Sequence, residues 1–151
     1  MVACDLVAVL LIEDDSQGET KAGRALAAMP GIILSRASTW SMATKMMGSE
    51  ELFVADLNLP DVLDVRQTAE SICRLAKDFP VVVFSDCDEL EIRRQCMQAG
   101  CVDFLKKSVT SPAALVAAVG RAKTKTARYS MDSKVIKMTE AGIPETRANG
   151  V

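Results

Sequence analysis

The sequence predicts an α/β fold in which a parallel sheet of five short strands is covered by helices on both faces. The first observation is a set of continuous apolar runs, without the alternation expected of strands that have one solvated face. The second is the presence of helical patterns with recognisable start and stop residues between these runs. The third is that charged or hydroxyl-bearing residues follow four of the runs, where a parallel sheet would gather them at one edge.

Strands are predicted where short apolar runs begin and end within a few residues. Four runs are clear, at residues 6–12, 52–55, 81–84 and 102–105. A fifth and weaker run, at residues 32–35, follows the break made by a proline and a glycine. All five have the length of buried strands rather than of buried helices.

Helices are predicted between the strands from their capping residues. A Ser-x-x-Glu capping box at residues 16–19 would open the first helix. Ser38 or Thr39 would cap the second, and Pro112 occupies the first position of the fifth. The predicted helices cover residues 16–29, 38–47, 65–77, 88–99 and 111 to beyond 119.

The alternation of strands and helices limits the topology. Right-handed crossovers between parallel strands leave few arrangements, and the flavodoxin-like strand order 2-1-3-4-5 fits best. In that order the crevice of the sheet lies between the first and third strands. Glu13 and Asp14 follow the first of these strands, and Asp56 follows the other.

Composition excludes several classes of function. The 151 residues carry a net charge of −2 with a pI near 5.2, which argues against nucleic-acid binding. No apolar run approaches the roughly 18 residues of a membrane span, and the first one lacks the basic flank of a signal peptide. The chain is therefore predicted to be cytoplasmic, with its five cysteines reduced. Because it contains no histidine, it can be neither a histidine kinase nor an enzyme with a Ser-His or Cys-His pair.

Five polar side chains would meet at the predicted sheet edge. Glu13, Asp14 and Asp56 supply three carboxylates, which would repel one another unless a cation such as Mg²⁺ lay between them. Lys107 would add an ammonium group, and Ser85 would add a hydroxyl that can donate to a phosphoryl oxygen. A carboxylate beside such cations can attack phosphorus, so the set predicts a phosphoryl-accepting switch.

Each of these residues has an ordinary structural interpretation when it is considered alone. An aspartate after a strand often caps a loop or helix, a serine often lies in a turn, and many lysines are simply surface residues. The functional interpretation therefore depends on the coincidence of all four strand ends.

Three segments resemble the receiver domain of bacterial two-component response regulators. Residues 9–15 (VLLIEDD) are similar to its acidic first-strand motif, residues 56–61 (DLNLPD) to its phosphoacceptor loop, and residues 99–107 (AGCVDFLKK) to its fifth-strand signature. The similarity covers about residues 5–121, which are predicted to form the domain. Residues 122–151, where the apolar periodicity fades, are predicted to form a helix extension and a mobile polar tail or linker.

The resemblance implies a role for each residue of the predicted site. Asp56 would accept a phosphoryl group from the phosphohistidine of a sensor histidine kinase or a histidine phosphotransfer protein. Lys107 and Ser85 would contact the transferred group. The implied ligands of Mg²⁺ are Glu13 (through water), Asp14, Asp56 and the backbone carbonyl of Asn58.

The resemblance also implies how the change is transmitted. Ser85 would move toward the phosphoryl group, and Phe104 would turn inward into the vacated space. The surface of the fourth helix, fifth strand and fifth helix would report this change to an output protein or to a second copy of the chain. The protein would be a switch rather than an enzyme, limited to Mg-dependent self-phosphorylation and autodephosphorylation.

Three positions depart from the pattern of the family. Asp86 replaces the small residue that usually follows the Ser85 position, which predicts slowed phosphorylation or altered access. Asp64 replaces a glycine in the loop after Asp56, which predicts a reshaped loop. Ser108 replaces the proline that commonly follows the lysine, which removes an expected cis peptide bond.

Other functions remain as alternatives. A phosphorylation-independent binding module of receiver fold would retain the fold without using the switch. A phosphatase is disfavoured because Asn58 lies where a second acid is expected, and a flavin site is disfavoured by the acidic first loop. The basic residues between 121 and 137 fit a solvated helix end better than a nucleic-acid contact.

Overall fold

The computed structural model describes residues 6–14 and 20–141, with side chains described up to residue 126. Within these ranges, strands and helices alternate along the chain, as the sequence predicts. The strands are β1 (Val7–Ile12), β2 (Ile32–Ala37), β3 (Leu52–Ala55), β4 (Val81–Ser85) and β5 (Asp103–Lys106). The helices are α1 (Lys21–Ala27), α2 (Trp40–Met46), α3 (Val65–Leu75), α4 (Leu90–Gln98) and α5 (Pro112–Ala141), with a short 3₁₀ turn at Lys107–Val109.

The five strands form one parallel sheet in the order β2-β1-β3-β4-β5, which confirms the predicted topology. At the carboxyl edge, Ile12 pairs with Ala55 and Ser85 pairs with Lys106. The residues that follow these pairs therefore leave the sheet at the same edge, and this places the candidate site.

Two hydrophobic clusters, one on each face of the sheet, explain the apolar runs. Leu10 and Ile12 belong to one cluster, whereas Val9 and Leu11 belong to the other, and all four are at most 3% exposed. Successive side chains of a strand point to opposite faces, so a strand covered on both sides must be apolar throughout. The continuous runs thus reflect burial of both faces.

Several predicted helix boundaries need correction. The first helix begins at Lys21 with Thr20 as its N-cap, because the Thr20 hydroxyl accepts a hydrogen bond from the Gly23 amide at 3.0 Å. The predicted capping box at residues 16–19 lies outside the described residues. The fourth helix begins at Leu90 rather than at residue 88. As predicted, a glycine, Gly100, follows α4; its φ of 106° suits the left-handed conformation of a helix end.

The departure at Asp64 has a structural explanation. Its side chain caps α3 by accepting a hydrogen bond from the Arg66 amide at 2.9 Å. An aspartate at this position therefore stabilises the start of the helix that follows the phosphoacceptor loop of the predicted site.

The start of α2 is held by a residue from another loop. Thr39 accepts a hydrogen bond from the Met42 amide, and the two carboxylate oxygens of Asp61 accept hydrogen bonds from the amides of Trp40 and Ser41, each at 2.9 Å. Three of the four N–H groups that a helix leaves unpaired at its start are therefore satisfied. Asp61 also ties the loop after β3 to α2.

We expect Asp61→Ala to lower the free energy of unfolding by about 1 kcal/mol at neutral pH, the usual cost of losing a side chain that accepts hydrogen bonds from the start of a helix. The amides of Ser41 and Trp40 hold the pKa of Asp61 below its ordinary value. The stabilisation is therefore present above the pKa of the unfolded chain and is lost as the pH falls through the lowered folded value. Urea unfolding of the wild type and of Asp61→Ala at several acidic pH values should show that the difference between their free energies of unfolding shrinks as the pH falls. A difference that persists in strong acid would contradict this origin.

Four of the five cysteines lie in the described part of the chain. Cys73, Cys87, Cys96 and Cys101 are free thiols. Burial and the neighbouring Cys96 raise the pKa of Cys73 to about 11, and contacts with Cys101 together with burial raise the pKa of Cys96 further. These two thiols are therefore packing residues of low reactivity.

The backbone of α5 continues to Ala141, beyond residue 121. The predicted tail, from residue 142 onwards, lies outside the described residues. Among the helices that the structure describes, none combines the length and the apolar character needed to cross a membrane.

Candidate functional site

The ends of β1, β3 and β5 bring three of the predicted residues into direct contact. The Lys107 ammonium lies 2.8 Å from Glu13 Oε2 and 2.7 Å from Asp56 Oδ2. Both carboxylate residues are 6% exposed, and the lysine side chain is 23% exposed. The site is thus a mostly buried ionic triad at the carboxyl edge of the sheet.

Lys107 balances two opposing effects. Burial lowers the pKa of its ammonium, but hydrogen bonds to Asp56 and Glu13 outweigh burial and raise the pKa above the ordinary value. Because an ordinary lysine already titrates near pH 10.4, Lys107 is a cation at any physiological pH. It also lies 5.5 Å from the centre of the Phe84 ring, where a cation–π contact adds support.

Each carboxylate of the triad is also fixed by a neighbour. Asp56 Oδ1 accepts a hydrogen bond from the backbone N–H of Asn58 at 2.9 Å, so the aspartate stabilises the turn that follows its own strand. Glu13 Oε1 accepts a hydrogen bond from the Thr20 hydroxyl at 2.6 Å. Thr20 therefore connects the site to the start of α1, a link that sequence reasoning missed because the spacing of the two residues carries no recognisable motif.

Ser85 lies beside the triad and is fully buried. Its hydroxyl oxygen lies 3.4 Å from Asn58 Nδ2, which donates to it, and 3.4 Å from the amide of Cys87. The Asn58 side chain therefore contacts the predicted switch serine. Sequence reasoning assigned a role only to the backbone carbonyl of Asn58, so this side-chain contact is new.

Phe104 is buried, with 3% of its surface exposed. The guanidinium of Arg93 on α4 lies 5.7 Å from the ring centre. A cavity of about 130 Å³ adjoins this pair, lined in part by Cys87, Leu90 and Lys106. The ring predicted to turn inward thus already occupies an inward position in this structure, and its predicted movement stays a prediction.

Asp86 and Ser108, two of the three residues that depart from the family pattern, are in direct contact. Asp86 Oδ1 accepts a hydrogen bond from the Ser108 amide at 2.8 Å. The carboxylate is therefore directed at the loop after β5. The peptide bonds of the described residues are all trans, in agreement with the absence of a proline at this position.

The residues present suit a hard divalent cation in the chemistry of their donor atoms. Carboxylates and a backbone carbonyl are the ligands that Mg²⁺ prefers, and Mg²⁺ usually takes only one or two protein carboxylates and keeps several waters. Asp14 is exposed next to the buried Glu13. In the described part of the chain, no three acidic or cysteine side chains form a metal cage on their own. The chemistry of these donors therefore fits a partly hydrated Mg²⁺.

Comparison with known proteins agrees with this geometry. Residues 9–120 match the family model described as response regulator receiver domain. The chain is 30% identical over 157 aligned residues to the transcriptional regulatory protein PrrA of Mycobacterium tuberculosis and of Mycobacterium bovis. The alignment covers 95% of this chain and 63% of PrrA, so the chain spans less than two thirds of that relative.

Solved structures with the same fold include two receiver domains. The non-phosphorylated HemR receiver domain of Leptospira biflexa has a TM-score of 0.63 and 23% identity, covering 77% of this chain and 93% of that one. A CheY-like receiver domain protein of Methanospirillum hungatei has a TM-score of 0.64 and 19% identity, covering 85% and 99%. Because the family model matches most of the chain, the chain belongs to the response regulator receiver domain family of two-component systems.

Proposed function

We propose that this chain is a phosphorylation-controlled switch in which Asp56 accepts a phosphoryl group from the phosphohistidine of a partner kinase or phosphotransfer protein. The observation that carries the proposal is the position of Asp56. Its carboxylate is buried at the end of β3 and lies 2.7 Å from the Lys107 ammonium. A general role in phosphorylation-dependent signalling already follows from membership of the family.

In the proposed transfer, a carboxylate oxygen of Asp56 forms a bond to phosphorus as the bond between phosphorus and the partner's imidazole nitrogen breaks. The imidazole leaves as a neutral group after it gains a proton. These 151 residues contain no histidine, so a phosphohistidine donor lies outside them. An acyl phosphate results on Asp56, and its later hydrolysis would reset the switch.

Lys107 and Ser85 would act on the transferred group. The Lys107 ammonium, which bridges Glu13 and Asp56, can exchange one carboxylate contact for a phosphoryl oxygen without leaving its place. The Ser85 hydroxyl can donate to a second phosphoryl oxygen. Charge stabilisation by fixed groups of this kind is the main contribution of proteins to phosphoryl transfer.

Glu13, Asp14, Asp56 and the Asn58 carbonyl would hold Mg²⁺ at this edge of the sheet. When bound, the ion would neutralise the charge on the transferring oxygens. The single Lys107 cation faces two carboxylates in the triad, so one negative charge remains to attract a divalent ion.

The proposed output surface is formed by α4, β5 and α5. Phe104 lies beneath this surface with Arg93 against its ring, so a displacement of Ser85 could reach α4 through the ring. Arg121 on α5 pairs with Asp103 on β5 at 2.7 Å. This pair, with Arg121 exposed and Asp103 half-buried, would contact an output protein or a second copy of the chain.

The experiment that tests the function uses the full chain with Mg²⁺ and acetyl phosphate, followed by intact mass spectrometry. We expect one added phosphoryl group on the wild type and none on Asp56→Asn, which keeps the size and most contacts of the side chain. Asp61→Asn is the matched control, because it changes an aspartate of the same loop that faces α2 instead of the triad.

Addition to the Asp56→Asn variant would place the phosphoryl group elsewhere and refute the assignment. A wild type that takes up no phosphoryl group with or without Mg²⁺ would favour the phosphorylation-independent binding module.

A further inference from the structure

The residues on both sides of Lys107 are held by the loop that follows β4. Asp86 accepts a hydrogen bond from the Ser108 amide at 2.8 Å, and Asp88 forms an ion pair with Lys106 at 2.7 Å. Ser85 and Lys106 are paired in the sheet, so these contacts continue the β4–β5 pairing beyond the strand ends. Lys107 therefore lies between two tethered neighbours.

The hydrogen bond from the Ser108 amide to Asp86 pairs a backbone N–H at the start of a short turn. Lys107–Val109 form a 3₁₀ turn, and the residue before it, Lys106, makes no side-chain cap. A lysine side chain offers only donors, so it cannot satisfy the free N–H groups at the start of the turn. The Asp86 carboxylate, which reaches across from the neighbouring loop, supplies the missing acceptor.

We propose that Asp86 is a positioning residue for Lys107, acting through its hydrogen bond to the Ser108 amide. The proposal rests on the proposed function of Lys107 in phosphoryl transfer. Asp86 fixes the turn that carries the lysine, and the turn holds the ammonium between Glu13 and Asp56. The sequence pattern alone suggests that the extra carboxylate hinders the site; the geometry assigns it a supporting role.

Two variants separate the hydrogen bond from the charge. Asp86→Ala removes both the acceptor and the charge. Asp86→Asn removes the charge but keeps an oxygen, Oδ1, that can accept the same hydrogen bond. Ser108→Ala is the matched control on the other side, because it keeps the backbone N–H that Asp86 contacts. If the hydrogen bond positions Lys107, Asp86→Asn and Ser108→Ala should have the Lys107 reactivity and phosphorylation rate of the wild type. Asp86→Ala should differ from the wild type in both.

The first measurement uses the unphosphorylated protein. Acetic anhydride labelling with peptide mapping gives the acylation rate of Lys107, with exposed lysines of the same chain as internal references. Hydrogen exchange gives the protection of the Ser108 amide. In Asp86→Ala we expect acylation of Lys107 and exchange at Ser108 each to rise about fivefold, the equilibrium equivalent of one ordinary hydrogen bond. In Asp86→Asn we expect less than about a twofold change.

The second measurement is the rate of phosphorylation of Asp56 by acetyl phosphate with saturating Mg²⁺. We expect Asp86→Ala to be about fivefold slower than the wild type, and Asp86→Asn to restore the rate fully. If the wild type is phosphorylated, equal rates for the alanine and asparagine variants would show that the hydrogen bond to Ser108 does not affect the rate, and this result would overturn the proposal.

The two readouts distinguish the failure of each idea. If Lys107 labelling and Ser108 exchange are unchanged in Asp86→Ala, Asp86 does not position the lysine, whatever the phosphorylation rate. If the wild type is not phosphorylated but both readouts change as expected, the positioning role stands and the proposed function fails.

Discussion

Replacement of Lys107 by methionine is expected to lower the free energy of unfolding by about 3 kcal/mol at neutral pH. The substitution keeps most of the side-chain volume but leaves Glu13 and Asp56 close together, each only 6% exposed, without the ammonium that now contacts both. Removal of one partner from a buried ionic group is costly because the remaining charges are neither solvated nor paired. Urea unfolding at equilibrium would measure the change.

The loss should depend on divalent ions. Mg²⁺ should recover part of the stability by replacing the missing positive charge. Phosphorylation of Asp56 should slow by about 100-fold, the typical effect of losing a fixed charge-stabilising group.

Lys106→Met is the matched control for the lysine prediction. Lys106 is the adjacent residue and pairs with Asp88 on the exposed surface, where ion pairs contribute little. This variant should unfold like the wild type. If the two methionine variants behaved alike, the triad would not be a stabilising centre.

Phe53→Ala is expected to cost about 4 kcal/mol, as full truncation of a buried aromatic residue usually does. Phe53 is 1% exposed in the central part of the sheet, on β3, three residues before Asp56. Its ring lies edge-on to Phe79, with the ring centres 5.3 Å apart. The variant would lose the burial of the ring, this aromatic contact and the packing around the resulting cavity.

Phe53→Leu separates the hydrophobic contribution from ring-specific packing. It should cost about 1 kcal/mol, because most of the apolar volume is retained. Circular dichroism during urea unfolding would compare both variants with the wild type. A similar small cost for both would mean that the core collapses around the missing ring, and that β3 is less tightly supported than its burial indicates.

Much of the fold could be predicted because a strand that is buried on both faces is apolar along its whole length. The run at residues 81–84 is entirely apolar because both faces of β4 are covered, and the observed strand differs from the prediction only by including Ser85. Boundaries were less predictable where a residue from another loop satisfies a helix end. The role of Asp61 at the start of α2 is of this kind, since its partners lie about 20 residues earlier.

Several residues that meet at the carboxyl edge could be predicted from the sequence, but their contacts could not. Strand ends converge in a parallel sheet, so the sequence positions of Asp56, Ser85 and Lys107 were sufficient to place them at one edge. No sequence motif indicated which of these side chains contact one another. The tertiary structure shows that Lys107 bridges Glu13 and Asp56, and that the Asn58 side chain contacts Ser85.

The sequence by itself determined the α/β class, the strand order and the residues at the carboxyl edge, because each depends on periodicity and position along the chain. Only the tertiary structure decided what Asp86 does. From the sequence it was an extra charge beside the site, whereas in the fold its carboxylate lies 2.8 Å from the Ser108 amide. The physical reason is that a hydrogen bond between two loops depends on distances of a fraction of an ångström, which are set by the packing of the whole sheet.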